Sequence, residues 1–354
     1  MSKINTKAAE ILKRLKKTSS VDESCIFNDS DIYVLKESVP TPIPIINLAL
    51  SGKFFTGGIT RGVTVWAGES RTFKTMGCLL CLKSYLDAHK DGIGMIYDSE
   101  FSFSPEYLDS FGIDTSRVFI TPITDIDQLK NDIINQVDVV QQGEHVFILI
   151  DSIGNLASLK EVGDAQDGKS TMDMTRAKML KSLFRMITPR VNLKNIPLFV
   201  VNHVYSEMGL YPKTIISGGS GVLLSANTAL IMSRRKSTDK NIEGFDFMIK
   251  AEKSRFIKEG IRFPLTIPKG GLIKKFSGLF DLALETGFIM KEGNMYAVPE
   301  VPEFKKAWKV DVENSDEFWD MMFKDTKFIS TIEEGLKVSV DQSGLFKFGE
   351  NVEE

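Results

Sequence analysis

An apolar run, Val63-Thr64-Val65-Trp66-Ala67, stops at Gly68, and a helical pattern runs from Met76 to His89. The residues between them read Gly68-Glu69-Ser70-Arg71-Thr72-Phe73-Lys74-Thr75. A strand handed to a helix through a glycine-led loop leaves few folds open, because the loop aims backbone N–H groups and the positive end of the helix dipole at one point. The spacing is that of a phosphate-cradling loop, G-x-x-x-x-G-K-[ST], with Phe73 in place of the second glycine. Gly68 to Thr75 are therefore candidate nucleotide contacts. Lys74 would meet the β- and γ-phosphates, and Thr75 would ligate Mg²⁺. Phe73 can be accommodated if its φ stays negative and its ring turns away from the phosphates. The plainer reading is a chance match in which Phe73 is a core aromatic.

Apolar runs continue at Ile93–Tyr97, Val118–Thr121, Val146–Ile150 and Leu198–Asn202. Helical patterns lie between them at Met76–His89, Pro105–Phe111, Ile126–Gln142 and Met172–Ile187. Such alternation predicts an α/β fold with a mostly parallel sheet covered on both faces. Later runs, Ala229–Ser233, Phe245–Ala251 and Arg262–Ile267, have no long helix between them and read as antiparallel strands finishing the sheet. Two polar, glycine-bearing segments, 159–171 and 206–221, fit no packed element and follow strand ends, where open α/β sheets bind ligands.

The ends differ in character. Residues 1–20 carry six cations against Glu10, with Ile4, Ala8, Ile11, Leu12 and Leu15 at helical spacing. That is a short basic amphipathic helix. The run Val39-Pro40-Thr41-Pro42-Ile43-Pro44 reads as a stiff connector to the main domain. Residues 311–354 carry twelve acids against four lysines. The N-terminus lacks a signal-peptide pattern and no apolar run approaches a membrane span, so a cytoplasmic location is expected. Cys78 and Cys81 form a C-x-x-C inside an apolar helix, which reads as small core residues rather than a redox or zinc pair.

Two strand ends carry acids. Phe147-Ile148-Leu149-Ile150-Asp151-Ser152 ends in a carboxylate suited to hold Mg²⁺ opposite a phosphate loop, or simply to cap the next helix. Met95-Ile96-Tyr97-Asp98-Ser99-Glu100 offers a carboxylate to activate a water, and spacing alone does not choose between Asp98 and Glu100.

The phosphate loop, Asp98-Ser99-Glu100 with Tyr107 seven residues on, Ile150-Asp151-Ser152, and Val200-Val201-Asn202-His203 stand in one order. That order resembles the RecA-type recombinases. Phrases such as Asn47-Leu48-Ala49-Leu50-Ser51-Gly52, Tyr97-Asp98-Ser99-Glu100-Phe101, Asp173-Met174-Thr175-Arg176-Ala177-Lys178 and Glu252-Lys253-Ser254-Arg255 are most similar to the UvsX recombinases of T-even-type bacteriophages, which also have Phe immediately before the loop lysine.

The resemblance implies a RecA-like P-loop core at 41–275, an N-terminal polymerisation module at 1–40, and a C-terminal α/β region at 276–354 with an acidic end. It implies ATP and Mg²⁺ as cofactors. Glu100 would polarise the attacking water, Tyr107 would stack on adenine, Thr75 and Asp151 would hold Mg²⁺, and His203 would sense the γ-phosphate. Lys253 and Arg255 would act with Glu100 and Lys74 in catalysis, reaching a neighbouring protomer's nucleotide. The segments at 159–171 and 206–219 resemble the family's DNA-binding loops, with Lys169, Arg176, Lys178, Lys213, Gly218 and Gly219 as candidate contacts. Implied partners are single-stranded and duplex DNA, further copies in a helical filament, a phage single-strand-binding protein and a loading mediator. The implied activity is DNA-dependent ATP hydrolysis with homologous pairing and strand exchange. A ring helicase or translocase of the same fold, or a disabled binding module, are the alternatives.

Overall fold

Strand residues that are apolar at every position must bury both faces, and the central strands do so. In a computed structural model, which describes residues 6–30, 38–167, 175–207, 214–235, 244–268 and 273–338, the first five strands are β1 (Gly62–Gly68), β2 (Ile93–Asp98), β3 (Val118–Pro122), β4 (Val146–Asp151) and β5 (Pro197–Asn202). Then come the short β6 (Val204–Ser206) and β7 (Thr214–Ile216), followed by β8 (Thr228–Arg235), β9 (Gly244–Ser254) and β10 (Arg262–Pro268). One sheet takes eight of them in the order β10-β9-β8-β1-β5-β4-β2-β3. β3, β2, β4, β5, β1 and β8 are parallel, while β9 and β10 are antiparallel. The expected antiparallel finish therefore starts one strand later than the sequence reading, because β8 pairs parallel with β1.

The period-two alternation sorts side chains into two layers. Trp66, Phe147, Leu149, Phe199 and Val201 face one, while Val65, Ile148, Ile150, Leu198 and Val200 face the other. The first eight helices are α1 (Thr6–Thr18), α2 (Pro44–Ser51), α3 (Lys74–Ala88), α4 (Pro105–Ser110), α5 (Ile126–Val139), α6 (Leu159–Gln166), α7 (Thr175–Leu193) and α8 (Ser220–Ser225). Of these, α2 and α3 join the first layer, and α5 and α7 cover the second. Gly77 lets α3 lie close on the sheet, since a Cβ there would stand 2.2 Å from the Trp66 ring.

Two local readings change. The segment from residue 159 is helical over α6 rather than irregular, and Ser158 caps it by accepting from the Glu161 N–H at 3.1 Å. Ser158 and Glu161 stand at capping-box spacing, a signal that its polarity and glycines obscured. The second segment is bracketed by an antiparallel pair, β6 with β7. The proline-rich run is tied in: Val39 bridges Ile59, and Asn47 on α2 both accepts from and donates to Thr41.

The chain then adds α9 (Leu279–Glu285), the hairpin β11 (Met290–Glu292) and β12 (Met295–Ala297), α10 (Lys309–Val312), α11 (Asp316–Asp325) and α12 (Phe328–Leu336). Phe276, Phe288, Trp319, Phe323 and Phe328 form an aromatic cluster that takes in Phe54. The Phe54 N–H also donates to Glu333 at 3.0 Å. These residues therefore share the core of the first layer.

Residues 1–37 form a separate unit. In it α1 carries Lys16 and Lys17 in its last turn, where cations suit the helix dipole. Ile11 and Leu15 are exposed. Among the described residues, no helix is long and apolar enough to cross a membrane.

Cys78 and Cys81 are fully buried on α3, and burial pushes both thiols up. Cys25 is exposed. Ellman titration of the native protein should count one rapidly reacting thiol, with the other two appearing only in denaturant. Two or more fast thiols would mean that α3 is not packed as described.

Candidate nucleotide and DNA site

The carboxyl ends of four adjacent parallel strands define one edge. Register pairs Asp98 with Asp151, Ala67 with Asn202 and Gly68 with Met232. A loop leaving β1 at Gly68 must turn at once into α3, and a Cβ at Gly68 would stand 2.6 Å from the Met232 carbonyl oxygen. The turn is made with two residues in the left-handed region, Arg71 (φ 61°) and Phe73 (φ 70°).

The φ of Phe73 is positive, contrary to the sequence expectation. The glycine of the general motif exists to allow this backbone shape. A side chain there costs about 1–2 kcal/mol. Burying an aromatic ring returns roughly 1.5–3 kcal/mol. The Phe73 ring is 6% exposed. It packs between Trp66 and Phe247, with ring centroids 6.3 Å from each. Phe73 is thus both a loop residue and a core aromatic.

Beside the loop, a pocket of about 500 Å³ is lined by Arg71 to Met76 together with Phe245, Phe247, Ile267 and Pro268. The Glu69 carbonyl accepts from Lys74 Nζ at 2.5 Å and from the Thr72 hydroxyl at 2.7 Å. Glu69 and Ser70 are exposed, whereas Lys74 is buried. Burial lowers the Lys74 pKa, opposed by the charges of Asp151 and Glu100.

The Thr75 hydroxyl donates to Asp151 Oδ2 at 2.6 Å. Asp151 Oδ1 is buried and makes no hydrogen bond among the described residues. Burial pushes the Asp151 carboxyl up to about 6, against the pull of the Thr75 hydroxyl and with Glu100 and Asp98 adding to the rise. An under-satisfied carboxylate oxygen beside a hydroxyl, at the foot of a phosphate loop, suits a hard cation that takes its other ligands from phosphates and water. Among the described residues, no cluster of three His, Cys, Asp or Glu side chains is arranged to hold a metal by itself.

The geometry separates Asp98 from Glu100. Asp98 is buried, and its carboxylate accepts from the N–H groups of Glu100 (2.9 Å) and Phe103 (3.4 Å), so it shapes the turn. Glu100 is exposed at the strand edge. Its Oε1 accepts from the Ser152 hydroxyl at 3.0 Å and from Asn155 Nδ2 at 3.1 Å. His203 Nε2 lies 3.7 Å from the same oxygen, too far for a hydrogen bond. Burial, and next the charge of Lys74, lower the His203 pKa and favour the neutral ring. Neither Ser152 nor Asn155 was singled out in the sequence, where a serine and an asparagine past a strand end carry no signal of their own.

His203 is also tied to the second loop. Its carbonyl accepts from the Ser217 N–H at 2.9 Å, and Asn202 Nδ2 donates to the Ser217 carbonyl at 2.8 Å. Gly218 and Gly219 follow, both at positive φ. Tyr107 sits on α4 edge-on to Phe111, outside the pocket lining. Its phenol is raised by burial and then by Asp151.

The candidate cations fall into different settings. Lys178 is exposed on α7. Arg176 is half-buried, with its guanidinium on the carbonyls of Ile153, Gly154 and Leu156 at 2.8–2.9 Å. Lys253 donates to the carbonyls of Leu223 (2.8 Å) and Leu224 (2.9 Å) near the end of α8. Arg255 is exposed just past β9. Lys169 and Lys213 lie outside the described residues.

A phosphate loop on β1, carboxylates on the neighbouring strand ends and a polar residue ending β5 define a P-loop nucleotide-binding protein with a RecA-like core. Family comparison agrees. Residues 11–271 match the RecA N-terminal domain. Residues 276–332 match the C-terminal domain of the bacteriophage T4 recombination and repair protein. The chain belongs to the RecA family. It is 39% identical to the recombination and repair protein of Enterobacteria phage T4 over 93% of its length and 84% of that protein's. It is 25% identical to protein RecA of Arthrobacter sp. (strain FB24) over 76% of this chain and 77% of that one. It is 26% identical to protein RecA of Synechococcus elongatus over 74% and 71%.

The Phe73 geometry gives an unusual ordering of variants. Phe73→Ala should cost about 3–5 kcal/mol in urea unfolding. Phe73→Gly should cost about 1 kcal/mol less than the alanine variant, because it relieves the left-handed backbone. The reverse order would mean that φ is not positive in solution.

Proposed function

We propose that this chain is an ATP-dependent recombinase that coats single-stranded DNA as a helical filament and exchanges it with a homologous duplex. The observation that carries the reading is the held Glu100 carboxylate on the same strand-end edge as the Thr75–Asp151 pair.

Lys74 would exchange the Glu69 carbonyl for phosphate oxygens. Thr75 and Asp151 would hold Mg²⁺, which supplies neutralising charge at the β- and γ-phosphates. Glu100, fixed by Ser152 and Asn155, would orient and polarise the attacking water, a role in which a misplacement of one ångström is expensive. His203 would read the γ-phosphate, and its carbonyl link to Ser217 gives the second loop a direct connection to that reading. Tyr107 is assigned to the adenine by family likeness.

Lys253 pairs in register with Ala229, three residues before Met232, which is opposite Gly68. Lys253 and Arg255 therefore lie toward the far edge of the sheet from their own phosphate loop. Cations placed there suit a neighbouring protomer's nucleotide, so hydrolysis would require assembly. Lys169, Lys178, Lys213, Gly218 and Gly219 are assigned to the DNA backbone, the contact class that accepts any sequence. Arg176 is set apart from these by its three carbonyl partners. A single-strand-binding protein, a loading mediator and a cytoplasmic site of action complete the reading.

The test is a joint-molecule assay with ATP, single-stranded DNA and homologous duplex, with electron microscopy of the assemblies. Filaments and joint molecules are expected. Closed rings that unwind forked DNA would assign the chain to motor proteins instead. Glu100→Gln should keep ATP binding and DNA-bound filaments while turnover falls by about 100-fold or more. Lys74→Ala should abolish DNA-stimulated hydrolysis, and normal hydrolysis in either variant would remove that residue from its role. Deleting residues 1–20 should weaken self-association measured by sedimentation, through loss of the exposed Ile11–Leu15 face. Unchanged assembly would leave that helix without an intermolecular part.

A further inference from the structure

We propose that Arg176 is a positioning residue for hydrolysis: it clamps the turn at 153–156 that holds Glu100, and thereby joins the first DNA-binding loop to the water-activating carboxylate. The inference rests on the reading of Glu100 given above and reassigns Arg176 away from direct DNA contact.

The geometry is concentrated in one turn. Arg176 Nε donates to the Leu156 carbonyl at 2.9 Å, and Nη2 donates to those of Ile153 and Gly154 at 2.8 Å each. A planar, permanently charged fork fixes three acceptors relative to one another, which a lysine ammonium cannot do. The same turn supplies Asn155 Nδ2 to Glu100 Oε1 at 3.1 Å, and Ser152, one residue before it, supplies its hydroxyl at 3.0 Å. Gly154 lies so close to His203 that a Cβ there would stand 2.2 Å from the imidazole Cδ2. The same turn therefore touches the carboxylate and the histidine proposed to sense the nucleotide.

Arg176 stands in the first turn of α7, which begins at Thr175, four positions past the end of the first loop in sequence. A shift of that helix end is passed to the turn through three hydrogen bonds, and from the turn to Glu100 through Asn155. The guanidinium is half-buried with its donors on carbonyls, whereas Lys178, two residues on, is exposed.

The experiment uses the full-length protein with Arg176→Ala, Arg176→Lys, Asn155→Ala and the Arg176→Ala/Asn155→Ala double variant. At saturating single-stranded DNA, kcat for ATP should fall about 10- to 100-fold in each single variant, with KM within about twofold of the parent. Arg176→Lys should recover little. The double variant should be no slower than Arg176→Ala alone, because both changes cut one path. DNA affinity measured with a non-hydrolysable ATP analogue, and its salt slope, should be unchanged. A phosphate contact would instead weaken binding and reduce that slope by about one.

In ligand-free protein, hydrogen exchange should accelerate over 153–157 in Arg176→Ala while β4 and β5 keep their protection. Parental kcat in Arg176→Ala, additive losses in the double variant, or a reduced salt slope would each overturn the proposal. Should Arg176→Ala fail to fold, Arg176→Lys and Asn155→Ala decide it by the same readouts. Full turnover in Glu100→Gln would overturn the reading of Glu100, while the exchange experiment would still report whether the clamp exists.

Discussion

The lateral pairing of β2 with β4 is the constraint on which the site depends. It sets Asp98 opposite Asp151, so two strands end in carboxylates at the same level. The pairing is locked past the strands: the Ser99 hydroxyl donates to the Ser152 carbonyl at 2.7 Å and accepts from the Ser152 N–H at 2.9 Å. Slipping this register by one residue would turn every inward side chain of β4 to the wrong layer. Both layers are closely packed, so such a slip would seat side chains of the wrong size and shape in each. The register thus sets Asp98 level with Asp151 and brings the backbone of Glu100, two residues past β2, to the same edge, where Ser152 and Asn155 hold its carboxylate.

Cations do structural duty throughout this chain. Arg117 donates to the carbonyls of Leu86, His89 and Gly92 around the end of α3. Lys194 does the same for Val137, Asp138 and Val140 at the end of α5. Lys253 serves the end of α8 and Arg176 the turn after β4. The last carbonyls of a helix have no partners within it, and a positive group also suits the negative end of the dipole. Counting lysines and arginines along a sequence cannot separate such groups from those free to meet DNA, since both look like charge in a polar segment.

That difference explains what was legible in the sequence. The central strands and the long helices were readable because doubly buried parallel strands leave continuous apolar runs, and α3, α5 and α7 leave helical periods. The phosphate loop and Asp151 were readable from their places at strand ends. Spacing left Asp98 and Glu100 open and only the family resemblance pointed to Glu100; what the structure adds is that the following N–H groups occupy the Asp98 carboxylate. α6 escaped notice because Ser158 and Glu161 signal its start more weakly than its glycine and acids suggest a loop. α2 was visible only as a phrase, since a helix buried all round shows no polar face to set its period. The role of Arg176 needed three carbonyls from a turn some twenty residues earlier.

The ring of Phe73 has a consequence for how this protein is studied. In the general motif the glycine leaves the phosphate loop mechanically separate from the interior. Here the loop is anchored by an aromatic group seated between Trp66 on β1 and Phe247 on β9. The loop cannot change shape without withdrawing that group, so its conformation and the integrity of the first layer are one variable. Substitutions at Trp66 or Phe247, neither of them a residue of the phosphate loop, will read out as altered nucleotide affinity. In this protein a screen for ligand binding and a screen for folding will return overlapping positions.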